Sequence, residues 1–193
     1  MRPFELWFEF ASPYSYLAVA RIAALAPELQ IVWRPFLLGP IFGDRGWTSS
    51  PFTLFPDKGR HMWRDVEREA AHYGIPFRKP TLFPAKSVLA TRVALIAADD
   101  GFIEPFARAV FEAHFVRDQD IADPAVIDAV LADRDGPSIR ERALTAANKD
   151  RLRANVDRAR ELGIFGAPMF HVDDELFWGN DRLERALAYA RRA

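Results

Sequence analysis

The sequence predicts an α/β fold, because strand patterns occur at both ends of the chain and helical patterns occupy its middle. Residues 6–10 form an apolar run typical of a buried strand, and residues 30–38 have a second strand pattern. Between them, a helix is predicted from Pro13, in its first turn, to about Ala26. A helix that connects two strands in this way makes them parallel, so we expect the chain to open with a β-α-β unit.

The middle of the chain combines a predicted loop with a series of predicted helices. Residues 39–56 are rich in glycine, proline, serine and aromatic residues, which favours a loop. Asp123 and Pro124 form a helix start signal, with the aspartate as the cap and the proline in the first turn. Helices are predicted at about 57–74, 85–99, 101–117, 123–133 and 138–162.

The C-terminal part of the chain returns to strand patterns. Strands are predicted at residues 168–172 and 176–178, on either side of a short acidic turn. A last helix is predicted from Arg182 to about Arg191. The chain is therefore expected to close with a β-β-α unit.

A β-α-β unit, inserted helices and a β-β-α unit together form the layout of a thioredoxin-like fold with a large all-helical insertion. We expect residues 1–45 and 163–193 to form the thioredoxin-like domain. Residues 46–162 are expected to form the inserted helical domain.

Composition argues against several classes of partner. The 193 residues include 26 basic and 27 acidic side chains, which gives no electrostatic footprint for nucleic acid. No segment approaches the roughly 20 apolar residues that a membrane span requires, and residues 1–5 do not resemble a secretory signal. Since the chain has no cysteine, an oxidising compartment offers it no disulfide. We expect a cytoplasmic protein with no nucleic-acid or membrane partner.

Several common catalytic sites are also not predicted. The histidines lack the four-residue spacing of a helical zinc site, and no cysteine can join them, so we expect no metal. The sequence has no nucleophile elbow, phosphate-binding loop or dinucleotide fingerprint. A serine hydrolase that uses Ser12 is therefore not favoured.

The most informative motif is Ser12-Pro13-Tyr14-Ser15, at the start of the first predicted helix. It has the form of the redox motif Cys-Pro-Tyr-Cys with both sulfurs replaced by oxygen. A cysteine at a helix N-terminus can ionise near neutral pH, whereas a serine hydroxyl stays protonated, so this site cannot exchange disulfides. A hydroxyl and free N–H groups at a helix N-terminus can instead hold and polarise a thiolate that another molecule supplies.

Six separated motifs occur in a fixed order along nearly the whole chain. They are Phe8–Ser15, Pro35–Gly39, Lys58–Asp65, Asp120–Pro124, Gly163–Pro168 and Trp178–Leu183. Together they resemble the glutathione-dependent 2-hydroxychromene-2-carboxylate isomerases, which are grouped with the kappa-class glutathione transferases and the DsbA oxidoreductases. The resemblance implies glutathione as the cofactor, a small aromatic carboxylate as the substrate, and a homodimer.

The resemblance implies that Ser12 is the catalytic residue. Its hydroxyl would donate to the glutathione sulfur and favour the thiolate. Ala167 and Pro168 resemble a cis-proline corner that faces this helix, where the backbone of Ala167 would pair with the cysteine backbone of glutathione. From the residues alone, the favoured interpretation of Ser12 is an ordinary helix cap, and that of Pro168 is the first residue of a strand.

Three further residues match glutathione contacts of the family. Asn180 and Asp181 correspond to a pair that receives the γ-glutamyl end, and Lys58 to a lysine near the glycine carboxylate. From the residues alone, Asn180 or Asp181 is a helix cap and Lys58 a solvated side chain. The family usually has an asparagine in the loop before that lysine, and this chain has other polar residues there, namely Thr48, Ser49, Ser50 and Thr53.

Aromatic residues are concentrated in the loop and in the helix that follows it. Loop aromatics are less readily explained as core than those on a helix face, so we interpret part of this cluster as the wall of a pocket for a flat substrate. The expected pocket residues are Tyr14, Phe42, Trp47 and Trp63. Three arginines are candidates for binding a substrate carboxylate, namely Arg34, Arg60 and Arg64.

The implied reaction is the glutathione-dependent isomerisation of 2-hydroxychromene-2-carboxylate-type aromatic α-keto acids, in aromatic hydrocarbon catabolism. A thiolate would add reversibly to a conjugated carbon, so that the double bond becomes single, rotates and re-forms on elimination. Two alternatives stay open. One is a kappa-like transferase that conjugates glutathione permanently, and the other is a non-catalytic thioredoxin-like binding module with no affinity for glutathione.

Overall fold

Four strands form one mixed sheet at the centre of the protein, whose computed structural model describes residues 2–192. The strands are β1 Phe4–Phe8, β2 Ile31–Pro35, β3 Met169–Val172 and β4 Glu175–Trp178, in the spatial order β2-β1-β3-β4. β1 pairs parallel with β2, with Phe4 opposite Ile31, and antiparallel with β3, with Phe4 opposite Val172. β3 and β4 form an antiparallel hairpin.

Ten α-helices surround this sheet within the described part of the chain. They are α1 Pro13–Leu25, α2 Leu38–Gly43, α3 Pro51–Leu54, α4 Pro56–Tyr73, α5 Val88–Asp99, α6 Ile103–Phe115, α7 Pro124–Val130, α8 Gly136–Leu144, α9 Ala146–Glu161 and α10 Leu183–Ala190. A 3-10 turn, Asn180–Arg182, precedes α10. Within residues 2–192, no helix is both long enough and apolar enough to cross a membrane.

Both end units that the sequence predicts are present. β1, α1 and β2 form the parallel β-α-β unit, and β3, β4 and α10 form the β-β-α unit. The first strand lies two residues earlier than the apolar run at 6–10 predicts, because pairing begins at Phe4 and ends at Phe8. Glu9 and Phe10 therefore lie in the connection that leads into α1.

Two predictions about the middle of the chain are wrong in detail. The predicted loop at 39–56 contains α2 and α3, and the hydroxyl of Ser50 caps α3 by accepting a hydrogen bond from Phe52 N–H (3.3 Å). The predicted single helix at 138–162 is two helices that meet at Thr145. Thr145 is extended (φ −59°, ψ 153°), and its hydroxyl accepts from Asn148 N–H (3.3 Å), so it caps a new helix in a sequence whose charged pattern continues unbroken.

The connection between β1 and α1 is held in place by the hydrophobic core. Phe10 is completely buried, and its ring lies 5.0 Å from that of Phe111 in α6, centroid to centroid. Phe8 contacts the same ring at 6.1 Å. Because aromatic pairs of this kind add to the free energy of burial, the inserted helices fix the start of α1 relative to the sheet.

Candidate functional site

Ser12 lies at the corner where the chain leaves β1 and enters α1. Pro13 is the first helical residue, a position that suits its fixed φ and missing N–H group. The Ser12 Oγ accepts a hydrogen bond from Ser15 N–H (3.1 Å), so the serine caps the helix. Its own O–H donates to the carbonyl oxygen of Ala167 (2.9 Å). The capping bond leaves the proton of this hydroxyl free for a second partner.

The Ala167-Pro168 bond is cis and faces Ser12 from the start of β3. The carbonyl of Pro168 accepts from Gly179 N–H (3.0 Å), which extends the β3-β4 pairing to this corner. Within residues 2–192, the Ala167 N–H donates to no protein acceptor. A backbone donor and a backbone acceptor of one residue therefore lie beside the Ser12 hydroxyl.

A cavity of about 1120 Å³ opens in front of this corner, and both Ser12 and Ala167 line it. Its volume is slightly above the roughly 300–1,000 Å³ that is typical of sites for one small molecule. The loop between α2 and α3 contributes three hydroxyl side chains to the lining, namely Thr48, Ser49 and Ser50.

Aromatic rings form much of one wall of the cavity. Phe42 and Trp47 both line it, and their ring centroids are 5.6 Å apart. Trp63 is not a lining residue, but it packs edge-on against Phe83, which is (4.7 Å between centroids). Phe52, which belongs to the same aromatic cluster of the sequence, also lines the cavity, whereas three lining rings were not singled out by the sequence analysis, namely Phe83, Phe165 and Trp178.

Tyr14 also lies outside the cavity lining. Its hydroxyl donates to the Asp65 carboxylate (2.9 Å), so the ring is held against α4. Burial raises the pKa of Tyr14, and the nearby carboxylates of Asp65, Glu69 and Asp181 raise it further. This phenol therefore stays protonated and acts as a hydrogen-bond donor.

Basic side chains line the cavity, but they are not the predicted arginines. Lys58 is in the lining, with its Nζ 4.8 Å from the centroid of the Phe55 ring. Arg45, Lys86 and Arg92 line it as well. The three arginine candidates lie elsewhere and are paired with acids, Arg34 with Glu5 (2.7 Å), Arg60 with Asp57, and Arg64 with Glu67 (3.0 Å).

Asn180 and Asp181 begin the 3-10 turn before α10, and neither lines the cavity. Asn180 is only 2% exposed, and its side chain is fully engaged. Its Oδ1 accepts from Arg21 (3.0 Å), and its Nδ2 donates to Glu69 (3.4 Å). Asp181 is exposed and accepts from Arg182 (2.6 Å). The buried amide of Asn180 therefore stabilises the turn, while the carboxylate of Asp181 faces solvent.

Glu9 is a buried carboxyl beside Ser12 that the sequence analysis did not single out. It is 7% exposed and lines the cavity. Its Oε1 accepts from Ala11 N–H (3.2 Å) and from the Ser87 hydroxyl. Burial raises the pKa of Glu9 from 4.5 to about 7, because these hydrogen bonds only partly offset the loss of hydration. The only sequence feature that could have indicated this buried carboxyl is that Glu9 is the one acid within the apolar run at 6–10.

Comparison with known proteins identifies the family. A family model described as the DSBA-like thioredoxin domain matches residues 4–190. The chain belongs to this family. It is 30% identical to a 2-hydroxychromene-2-carboxylate isomerase of Sphingobium xenophagum, over 96% of each chain. It is 28% identical to glutathione s-transferase kappa 2 of Caenorhabditis elegans, over 93% of this chain and 87% of that protein.

Comparison with solved structures gives a similar result. The structure superimposes on that of a 2-hydroxychromene-2-carboxylate isomerase with a TM-score of 0.85 and 25% identity, over 96% of this chain and 93% of the other. The thioredoxin-like fold with a helical insertion, predicted from the order of the elements, is therefore confirmed. The resemblance that the six motifs indicated is confirmed as well.

Proposed function

We propose that this protein is a glutathione-dependent isomerase of 2-hydroxychromene-2-carboxylate-type aromatic α-keto acids. The observation that carries the proposal is the Ser12 hydroxyl, which lies at a helix N-terminus, faces the Ala167-Pro168 corner and lines a cavity of about 1120 Å³. Relatives named as isomerases and as a kappa glutathione transferase support it.

In this proposal, Ser12 stabilises the glutathione thiolate. Its O–H turns from the Ala167 carbonyl to the sulfur, while the capping bond from Ser15 holds the oxygen in place. The N-terminus of α1 adds a partial positive charge. A hydrogen bond to a charged group contributes about 1.5–3 kcal/mol, which is enough to favour the thiolate about tenfold to hundredfold.

The Ala167 carbonyl and N–H then become available to the cysteine backbone of the bound tripeptide. Lys58, at the cavity wall, is the proposed partner of the glycine carboxylate. Asp181 is the proposed partner of the γ-glutamyl ammonium group. We assign Asn180 a positioning role, since Arg21 and Glu69 already occupy its side chain.

The chemistry needs little from the protein beyond the thiolate and its placement. The cyclic hemiketal first opens: its ring C–O bond breaks, the hydroxyl proton passes to the phenolate oxygen, and a ketone conjugated to a cis C=C bond results. The sulfur lone pair then forms a C–S bond with the conjugated carbon, and the electrons of the C=C bond move onto the ketone as an enolate. Rotation about the new single bond is followed by loss of the thiolate, which re-forms the C=C bond in the other geometry. Glutathione returns unchanged, so the protein acts by holding both molecules in attack geometry.

A kappa-like transferase is the second candidate, because one relative carries that name. Chromatography of a mixture of protein, glutathione and 2-hydroxychromene-2-carboxylate separates the two. The isomerase converts the substrate only when glutathione is present and leaves all the glutathione free. A transferase accumulates a stable conjugate, and a non-catalytic binding module does neither. The homodimer, which the resemblance implies, and the cytoplasmic location, which the composition favours, stay predictions.

Replacing Asp181 by asparagine is expected to raise the KM for glutathione about 2- to 5-fold. The variant removes an exposed negative charge from the proposed γ-glutamyl end, and exposed charge pairs contribute up to about 1 kcal/mol. The value of kcat at saturating glutathione should stay the same, because the reacting sulfur is not touched. Steady-state kinetics with varied glutathione measure both.

Asp174→Asn is the matched control, since Asp174 is an exposed acid in the turn between β3 and β4. It should leave the KM for glutathione unchanged. If Asp181→Asn behaves like this control, Asp181 does not bind the tripeptide.

A further inference from the structure

Arg92 lies in the cavity wall without an acidic partner. It projects from α5, and Val88 and Leu89, one turn earlier on the same helix, line the cavity with it. Within residues 2–192, Arg92 forms no salt bridge, and its Nε is a buried donor with no hydrogen-bond partner. An unpaired buried donor costs free energy, and since Arg92 as a whole is only half-buried, the rest of its guanidinium stays open to a ligand that accepts hydrogen bonds.

The acids at the end of the same helix are already paired. Arg142 forms two hydrogen bonds with Asp100 (2.7 and 2.9 Å), and Arg151 forms two with Asp99 (2.7 and 2.8 Å). The backbone of Arg92 is fixed separately, because Asn148 donates to its carbonyl oxygen (3.0 Å). The helix backbone is therefore fixed at Arg92, while the charge of its guanidinium stays unmatched by an acid.

The charge of the whole cavity also favours a ligand with a negative charge. Its lining includes four basic side chains and one carboxyl, that of Glu9. The Glu9 carboxyl is engaged by Ser87 and Ala11 rather than by a cation. Apolar residues flank Arg92 in the lining, among them Leu89 and Leu144. A flat apolar molecule with one carboxylate matches this part of the wall.

We propose that Arg92 binds the carboxylate of the electrophilic substrate, so that the cavity selects aromatic acids over neutral aromatic electrophiles. The guanidinium presents a planar fork of donors that fits a carboxylate. Lys58 is left for the carboxylate of glutathione, so the two anions have separate cationic sites. This inference rests on the proposed function and assigns its substrate specificity to one residue.

The test compares two probes that differ only in charge, trans-cinnamate and trans-cinnamamide, and uses no glutathione. Trp47 and Trp178 line the cavity, so tryptophan fluorescence reports binding. The wild-type protein should bind cinnamate about 10- to 100-fold more tightly than the amide, the range expected for hydrogen bonds to a charged group. Arg92→Met should remove this preference and leave the affinity for the amide unchanged. Arg92→Lys should restore part of it.

Arg134→Met is the matched control, because Arg134 stacks on Phe102 (3.8 Å) and does not line the cavity. It should keep the full preference for cinnamate. Equal weakening of both probes by Arg92→Met, or a wild-type protein that binds neither probe or binds both equally at millimolar concentration, would overturn the proposal. Because glutathione is absent, these results do not depend on whether the protein uses it, and a titration with glutathione alone does not depend on Arg92.

Discussion

Replacing Ser12 by alanine is expected to lower kcat/KM for the glutathione-dependent isomerisation about 100-fold. The variant removes the O–H that now donates to Ala167 and that is proposed to turn to the thiolate. A charge-assisted hydrogen bond of about 3 kcal/mol corresponds to this factor. Steady-state kinetics with saturating glutathione measure the loss.

The same substitution removes a helix cap, which costs about 1 kcal/mol of stability and must be separated from the catalytic effect. Urea unfolding of Ser12→Ala measures the stability lost with the cap, and Ser15→Ala is the control for removing a buried hydroxyl from the same helix start. Ser15 is the second serine of the motif, is completely buried and does not line the cavity. Its loss should leave kcat/KM within a few-fold of the wild type. Comparable activity in Ser12→Ala and Ser15→Ala would remove Ser12 from the mechanism.

Glu9 is expected to make the protein less stable as the pH rises from 4.5 to 7. Burial raises the pKa of Glu9 from 4.5 to about 7, so the folded protein holds a proton that the unfolded chain releases. The stabilisation is complete below pH 4.5 and is lost as the pH rises through the folded-state pKa. Since a tenfold change in proton affinity is worth about 1.4 kcal/mol, the loss is about 3 kcal/mol.

Glu9→Gln keeps an oxygen for the Ala11 and Ser87 bonds but cannot ionise. Urea unfolding at a series of pH values measures the difference in the free energy of unfolding between this variant and the wild type. This difference should shift in favour of the variant by about 3 kcal/mol as the pH rises from 4.5 to above 7. Glu141→Gln, at an exposed acid of α8, should follow the wild type. Parallel curves for Glu9→Gln and wild type would show that the Glu9 carboxyl titrates normally.

The ends of the fold could be predicted from the sequence because their signals are local. The apolar run of β1, the proline at the start of α1 and the acidic turn between β3 and β4 each specify an element without its neighbours. The helices α2 and α3 could not, since four to six residues give too little periodicity. The break at Thr145 was hidden because a charged, solvated pattern continues on both sides of it.

The candidate site could also be predicted only in part from the sequence. Ser12, Ala167 and Lys58 were selected from motifs, and all three lie in one cavity. Glu9 and Arg92 carry no such signal, because an acid in a strand or an arginine in a helix is ordinarily solvated. What makes them notable is burial by distant segments, which brings Ser87 to Glu9 and leaves Arg92 unpaired at the cavity wall. These contacts depend on the tertiary structure, so the local sequence does not predict them.

The central claim is that this protein holds glutathione as a thiolate beside Ser12. The most direct test is a titration of the glutathione complex with pH, followed by the ultraviolet absorbance of the thiolate, in wild type and in Ser12→Ala. We expect saturable binding and a bound thiol with a pKa below about 7.5, against about 8.5 for a free thiol, and a return toward the free value in Ser12→Ala. No saturable binding at millimolar glutathione, or the same thiol pKa in both proteins, would contradict the account.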